Sequence, residues 1–260
     1  MLETSEGDFI VSGSLNLSGA SSSDFFIAKL SSTGSQLWLY TYGLSTSHEK
    51  VYALLPAQNS HIYFAGHREI IAPSQTNAIF GEIDELGNLV RCKEYAGGGG
   101  GDDLFYSMTY SPSGNIVLTG SSTSFGNGGT DILIVELDLE GNLVEANTLG
   151  SPVAESARTI QYQQGHYLLG ANAYISSQGA SDVLIAKYSS IFDLCGDLTF
   201  NRIYSYTVSD LSLSPATIPE SFSPFSLQND PVSLTSLTFS STLDSYIHDP
   251  LCSLLQPIII

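Results

Sequence analysis

Three acidic side chains stand out by their spacing. Glu49, Asp103 and Glu155 recur at near-constant intervals, each at the start of a short apolar run. Carboxylates at one register of a repeat can serve in two ways. They can ring a shared axis and bind a cation, calcium above all, for which roughly six or more oxygen ligands at fixed geometry are needed. Or they can accept hydrogen bonds from turn amides or simply face water, the readings favoured here. A second series, Asp24, Asn77, Asp131 and Asp182, opens another apolar run in each repeat. Short polar side chains at such places read as caps that bond nearby backbone.

Other motifs with chemical potential are incomplete. The run Gly97–Gly101 precedes Asp102 and Asp103 but lacks the Lys-Ser/Thr and the helix of a phosphate cradle, so it reads as a loop. His48, His61, His67, His166 and His248 are scattered, with no His-Glu-x-x-His pair. There is no Gly-x-Ser-x-Gly elbow. Trp38 and the tyrosines are read as packing residues rather than a sugar platform. Asn16-Leu17-Ser18 is the only glycosylation sequon. No catalytic residue is assigned.

Composition narrows the classes. The chain has 260 residues, 42% of them apolar, with 26 Asp+Glu against 8 Lys+Arg and a net charge of −18. Such a field repels nucleic acid and anionic membrane. Cys92, Cys195 and Cys252 match no zinc or redox spacing, and an odd, sparse set is no disulfide framework. No apolar run is long enough to span a membrane. Met1–Glu6 is acidic and has no signal-peptide apolar core.

The elements that would position these residues repeat. Asn115-Ile116-Val117-Leu118-Thr119-Gly120 is followed by a polar loop, then Asp131-Ile132-Leu133-Ile134-Val135-Glu136-Leu137-Asp138 and the turn Leu139-Glu140-Gly141-Asn142. The glycines Gly13, Gly66, Gly120 and Gly170 are spaced 53, 54 and 50 apart. Asp24, Asn77, Asp131 and Asp182 are spaced 53, 54 and 51 apart. A unit of about 50 residues holding four short β stretches has the period of a propeller blade. The run 131–138 is apolar on both alternating sets, as a strand covered on both faces requires. The charged residue near its end, Lys29, Glu82, Glu136 or Lys187, is expected where the sheet rim meets water. The four glycines are expected at bulges or close inter-sheet contacts. Asp84 to Gly87 and Asp138 to Gly141 predict type I turns closed by a left-handed glycine.

These motifs resemble the SBBP-type β-propeller repeat over about residues 6–205: Gly-Asn-Ile-Val-Leu-Thr-Gly, then Asp-Ile-Leu-Ile-Val-Glu-Leu-Asp-x-x-Gly-Asn, and Gly-Gly-Asp-Asp. The resemblance implies a blade and carries no catalytic residues. The chain departs from the pattern at Asn77 for Asp, at Glu82 and Glu136 for Lys, and in the longer turn Ser189–Asp197.

The expected fold is therefore all-β: a β-propeller of about four detectable blades, with boundaries near residues 48, 102 and 154. Residues 206–260 form a Ser/Pro-rich tail, a linker or the start of a further β module. The first blade lacks its inner strand, so either a tail strand such as Val232–Phe239 closes the ring or the chain is an open arc of a larger one. The open arc is favoured. It would expose faces such as Phe25/Ile27 or Val183/Ile185. The expected function is a non-enzymatic scaffold, extracellular or at the cell surface, that binds a protein or glycan partner through its face loops. Glu49, Asp103 and Glu155 are the candidate binding residues. No cofactor is expected, calcium being the one ion the acids could take. The alternatives are a propeller enzyme acting on glycans and a cation-dependent adhesion module.

Overall fold

A computed structural model describes residues 1–16, 22–173, 182–190, 199–202, 206–217 and 258–259. The first unit forms β1 (Leu2–Glu3), β2 (Phe9–Leu15), β3 (Asp24–Leu30) and β4 (Gln36–Gly43). The second forms β5 (Ser47–Pro56), β6 (Ile62–Ile70), β7 (Gln75–Ile83) and β8 (Leu89–Ala96). The third forms β9 (Asp103–Tyr110), β10 (Ile116–Ser122), β11 (Asp131–Leu137) and β12 (Leu143–Gly150). The fourth forms β13 (Glu155–Gln163), β14 (His166–Ala173) and β15 (Asp182–Tyr188). Four short strands follow: β16 (Thr199–Arg202), β17 (Thr207–Asp210), β18 (Ser214–Thr217) and β19 (Ile258–Ile259). Each unit is one antiparallel sheet in chain order, as expected. Among the described residues no helix is long and apolar enough to cross a membrane.

Successive sheets stack face to face. Ile10, Phe25, Ile27 and Tyr42 of sheet one pack on Val51, Phe64, Ile79 and Ile83 of sheet two. Tyr63, Ala78, Phe80 and Tyr95 of sheet two pack on Phe105, Leu118, Leu133 and Val135 of sheet three. Val117, Ile132, Ile134 and Leu149 of sheet three pack on Ala157, Ile160, Leu169 and Leu184 of sheet four. Strand periodicity produces this alternation, because successive side chains point to opposite faces. Each fully buried Ile or Phe contributes roughly 1.5–3 kcal/mol to that stacking. Phe25 and Ile27 are thus covered by sheet two, correcting their expected exposure. Val183 and Ile185 are exposed, as expected of an end sheet.

The tight turns behave as their sequences predict. Gly87 and Gly141 have φ of +84° and +78°, in the left-handed region. Asp84 Oδ1 accepts from the backbone N–H groups of Leu86 and Asn88, and Asp138 Oδ1 from those of Glu140 and Asn142. Each turn is also bolted to the preceding sheet. The Tyr42 hydroxyl donates to Gly87 O at 2.5 Å, and the Tyr95 hydroxyl to Gly141 O at 2.6 Å.

Gly66 and Gly120 sit opposite β-bulges, where an added Cβ would lie 1.8 Å from Lys50 O and 1.7 Å from Leu104 O. In sheet four Ala171, not Gly170, is the residue opposite the bulge. The hairpin there turns on two residues, Gln164 and Gly165, both at positive φ, while the matching turn of sheet three spans 111–115. The shorter turn moves the glycine out of register by one place. The expected water-facing role of the residue before the strand end also needs correcting. Glu82 is buried, with His61 Nδ1 at 2.7 Å and Arg91 Nε at 3.0 Å from its oxygens.

Among the described residues the chain after β15 does not continue the repeat, and Thr199–Arg202, expected within the fourth blade, joins another sheet. Thr199–Arg202 pairs with β12 of sheet three, Thr207–Asp210 with β8 of sheet two and Ser214–Thr217 with β4 of sheet one. Ile258–Ile259 pairs with β15. Each of the four outer edges therefore carries an added strand, and the register of the repeat ends at β15. Val232–Phe239 and the turn 191–197 lie outside the described residues.

Candidate functional site

All the longer loops that join one sheet to the next lie at the end where the third strands begin. That end carries the three acids. Glu49, Asp103 and Glu155 do share a register: they pair with Arg68, Ser122 and Ala173, which pair in turn with Asn77, Asp131 and Asp182. Their work is also shared. Glu49 Oε2 accepts from the backbone N–H of Leu44 at 3.4 Å, Asp103 Oδ2 from Gly97 at 2.9 Å and Glu155 Oε2 from Ser151 at 3.0 Å. Leu44, Gly97 and Ser151 are each the first residue after an outer strand. Each acid thus pins the start of the crossover that leads into its own inner strand. Serine hydroxyls complete the clamps: Ser47 donates to Glu49, Ser124 to Asp103 and Ser151 to Glu155.

Burial governs the electrostatics. Desolvation raises the pKa of Glu49, opposed by its Ser47 and Leu44 bonds and by Arg68 and reinforced by Asp24. Asp103 is raised by burial against several hydrogen bonds. Asp131 is raised by burial and by Glu155 nearby. Asp24 is raised by burial alone. Of the second series, Asp131 bonds the Asn127 backbone N–H, as a cap should. The side chain of Asp182 lies outside the described residues. Among the described residues no three His, Cys, Asp or Glu side chains are placed to hold a metal ion.

The departure at Asn77 has a local cause. Glu94 occupies the outer-strand place held by Thr41 in sheet one and Thr148 in sheet three. Asn77 Nδ2 donates to Glu94 Oε1 at 2.8 Å, and Arg68 Nη1 reaches the same oxygen at 3.0 Å. An aspartate at 77 would set a second carboxylate against Glu94. Sheet two has moved its acid across the strand and brought in Arg68, which lies 3.7 Å from Glu49 as well.

A different group of residues lies midway along the inner strands. The extra residue of each inner-strand bulge is Tyr52, Tyr106 or Arg158. A bulge leaves its extra residue unpaired and re-aims the side chain. The three side chains meet across the sheets. The Tyr52 and Tyr106 rings are 5.0 Å apart, and the Arg158 guanidinium lies 4.3 Å above the Tyr106 ring. His67 extends the row at 5.4 Å from Tyr52. Burial and the neighbouring Lys50 lower the His67 pKa to about 4, so its imidazole is neutral at ordinary pH. Tyr52 is 45% exposed, and Arg158 is exposed. Beside the row, Ser14, Leu15, Asn16, Ser23, His48 and Lys50 line a cleft of about 260 Å³.

No protein-family model matches this chain, and no curated protein does.

The row of bulge residues was missed in the sequence, where the tyrosines read as packing. A signal was present: each follows its register acid by three residues, at Glu49–Tyr52, Asp103–Tyr106 and Glu155–Arg158. The unlike residue types concealed it.

Proposed function

We propose that the stacked sheets are blades of a β-propeller-type scaffold, of the SBBP-repeat kind its motifs resemble. The protein is a non-enzymatic binding module, exported or displayed at the cell surface. Its partner is a glycan, held on the inner-strand row Tyr52–Tyr106–Arg158. One observation carries this reading: three successive inner strands use their bulges to place two tyrosine rings, one exposed and one half-buried, and an exposed guanidinium in one line. Tyrosine faces stack on the apolar faces of sugar rings, and a guanidinium selects a carboxylate or sulfate substituent. Lys50, beside the row, has no acidic partner among the described residues. In a chain of net charge −18, cations left free of acids mark where an anionic ligand is tolerated. The buried acids support a scaffold too, because their oxygens are committed to crossover amides.

The test is a screen of acidic and neutral oligosaccharides with the full chain, followed by calorimetry of any hit. Tyr52→Ala and Tyr106→Ala should each weaken binding by roughly tenfold, the scale of one aromatic contact. Arg158→Gln should weaken acidic glycans more than neutral ones. Absence of binding to every glycan, or a hit indifferent to all three substitutions, refutes the proposal.

A further inference from the structure

Each sheet carries an apolar triple on the face turned to its successor. In sheet one it is Ile10, Phe25 and Ile27; in sheet two, Tyr63, Ala78 and Phe80; in sheet three, Val117, Ile132 and Ile134. The pairing registers make these equivalent. All nine residues are at most 4% exposed. In sheet four the same places hold Leu168, Val183 and Ile185, exposed by 38%, 53% and 39%. Sheet four alternates buried and exposed residues along β14 and β15, while sheets two and three bury both faces of their middle strands. Sheet four therefore has an interface built and left uncovered.

The face that would complete it is also on this chain. Sheets two, three and four each present a complementary set to the preceding sheet, such as Ile116, Leu118, Leu133, Val135 and Leu137 of sheet three. The equivalent set in sheet one is Phe9, Val11, Phe26, Ala28 and Leu30, joined by the pairs Phe9–Leu30 and Val11–Ala28. None of these is among the residues of the three inter-sheet cores; Phe9, Val11, Phe26 and Leu30 are half-buried and the small Ala28 between them is fully buried. Among the described residues, sheets one and four of one chain share no apolar core. We propose that a second copy of this chain supplies the missing partner: sheet four of each copy packs on sheet one of the other. A twofold axis makes the two contacts equivalent and closes eight sheets into one ring, leaving no free face.

Charge fits the same arrangement. Lys187 lies on the exposed face of sheet four, at the tight-turn end, with no acidic partner among the described residues. Sheet one carries Glu6 and Asp8 at that end, sharing only Lys29. Rotation about the ring axis keeps like ends together, so Lys187 of one copy and the acidic turn of the other lie on the same rim of the ring. This inference rests on sheet stacking and is independent of the glycan row.

Sedimentation velocity of the full chain tests it. The expected species has twice the 27.8 kDa chain mass. Leu168→Lys combined with Val183→Thr and Ile185→Thr should yield the monomer, with far-UV dichroism unchanged because threonine keeps strand propensity. Lys187→Glu alone should weaken the dimer about threefold, the scale of an exposed charge contact, and change its salt dependence. A wild-type monomer at tens of micromolar overturns the proposal. So does a dimer that survives the triple substitution, or a ladder of higher masses in place of a single closed species.

Discussion

Replacing Tyr95 by Phe removes one oxygen and nothing else. The ring is fully buried, tilted against Phe105 at 5.6 Å, and stays in place. The hydroxyl donates to Gly141 O at 2.6 Å, and Gly141 is itself buried in the turn of the next sheet. Without the donor, a carbonyl is stranded away from water. An unsatisfied buried acceptor costs ~1–3 kcal/mol. For a domain of this size, each kcal/mol lowers the melting temperature by ~2–4 °C, so the expected loss is roughly 2–12 °C. Tyr42→Phe should behave alike, because Tyr42 makes the same bond to Gly87. Tyr40→Phe is the control: its hydroxyl makes no hydrogen bond among the described residues, and the melt should not move. Calorimetry of the three variants decides the matter. If Tyr95→Phe melts with the wild type, the turn is not bolted to the preceding sheet and the physical account of the Asp-x-x-Gly-Asn motif fails.

Three further outcomes follow from the buried ionisable groups. Asp103→Asn should cost ~1–3 kcal/mol: Oδ2 accepts from Gly97 and Ser124, and the Ser122 and Tyr206 hydroxyls also face this carboxyl, so an amide nitrogen on either side meets donors. Glu49→Gln should cost ~2–3 kcal/mol, since both its oxygens accept and Arg68 loses a counter-charge; a urea midpoint unchanged in either variant would contradict the clamp geometry. His67 should make the fold acid-sensitive. Its unfolded form takes up a proton near pH 6.5 and its folded form only near 4, so stability falls as pH drops through that window, by up to roughly 3 kcal/mol. The raised carboxyls of Asp24, Glu49, Asp103 and Asp131 act with the opposite sign, so the test is the wild type minus His67→Gln difference in urea midpoint at about pH 7.5 and about pH 4.5. A difference that does not change with pH would show that His67 is not held neutral.

Sheet identity and order were legible in the sequence because strand period and turn chemistry are local. Asp138, Gly141 and the doubly apolar run 131–137 announce a turn and a covered strand without reference to anything distant. The clamp role of Glu49, Asp103 and Glu155 was legible as a class, turn amides, though not the shared target. The bulge row was not, since an extra residue in a strand depends on how the partner strand pairs. The segment after β15 was opaque for the same reason: nothing local says that Thr199–Arg202 belongs to sheet three rather than to sheet four. Gly170 misled because a turn shortened to two residues shifts a marker without breaking the pattern.

The tail runs backwards along the rim, reaching sheet three, then two, then one. Chain synthesis proceeds the other way, so the oldest edge waits longest. The backbone partner of Thr41 is Ala216, 175 residues later. At ~5–20 residues per second, the outer strand of the first sheet stands open on the ribosome for roughly 9–35 s before its cover exists. During that time a row of unpaired amides and carbonyls is presented to every other nascent chain nearby. The cover, once laid, ends the problem in its own way. Pro215 lies within the last rim strand on sheet one and has no N–H to offer a further neighbour. The edge that is exposed longest during birth is the one finished with a residue that resists further pairing.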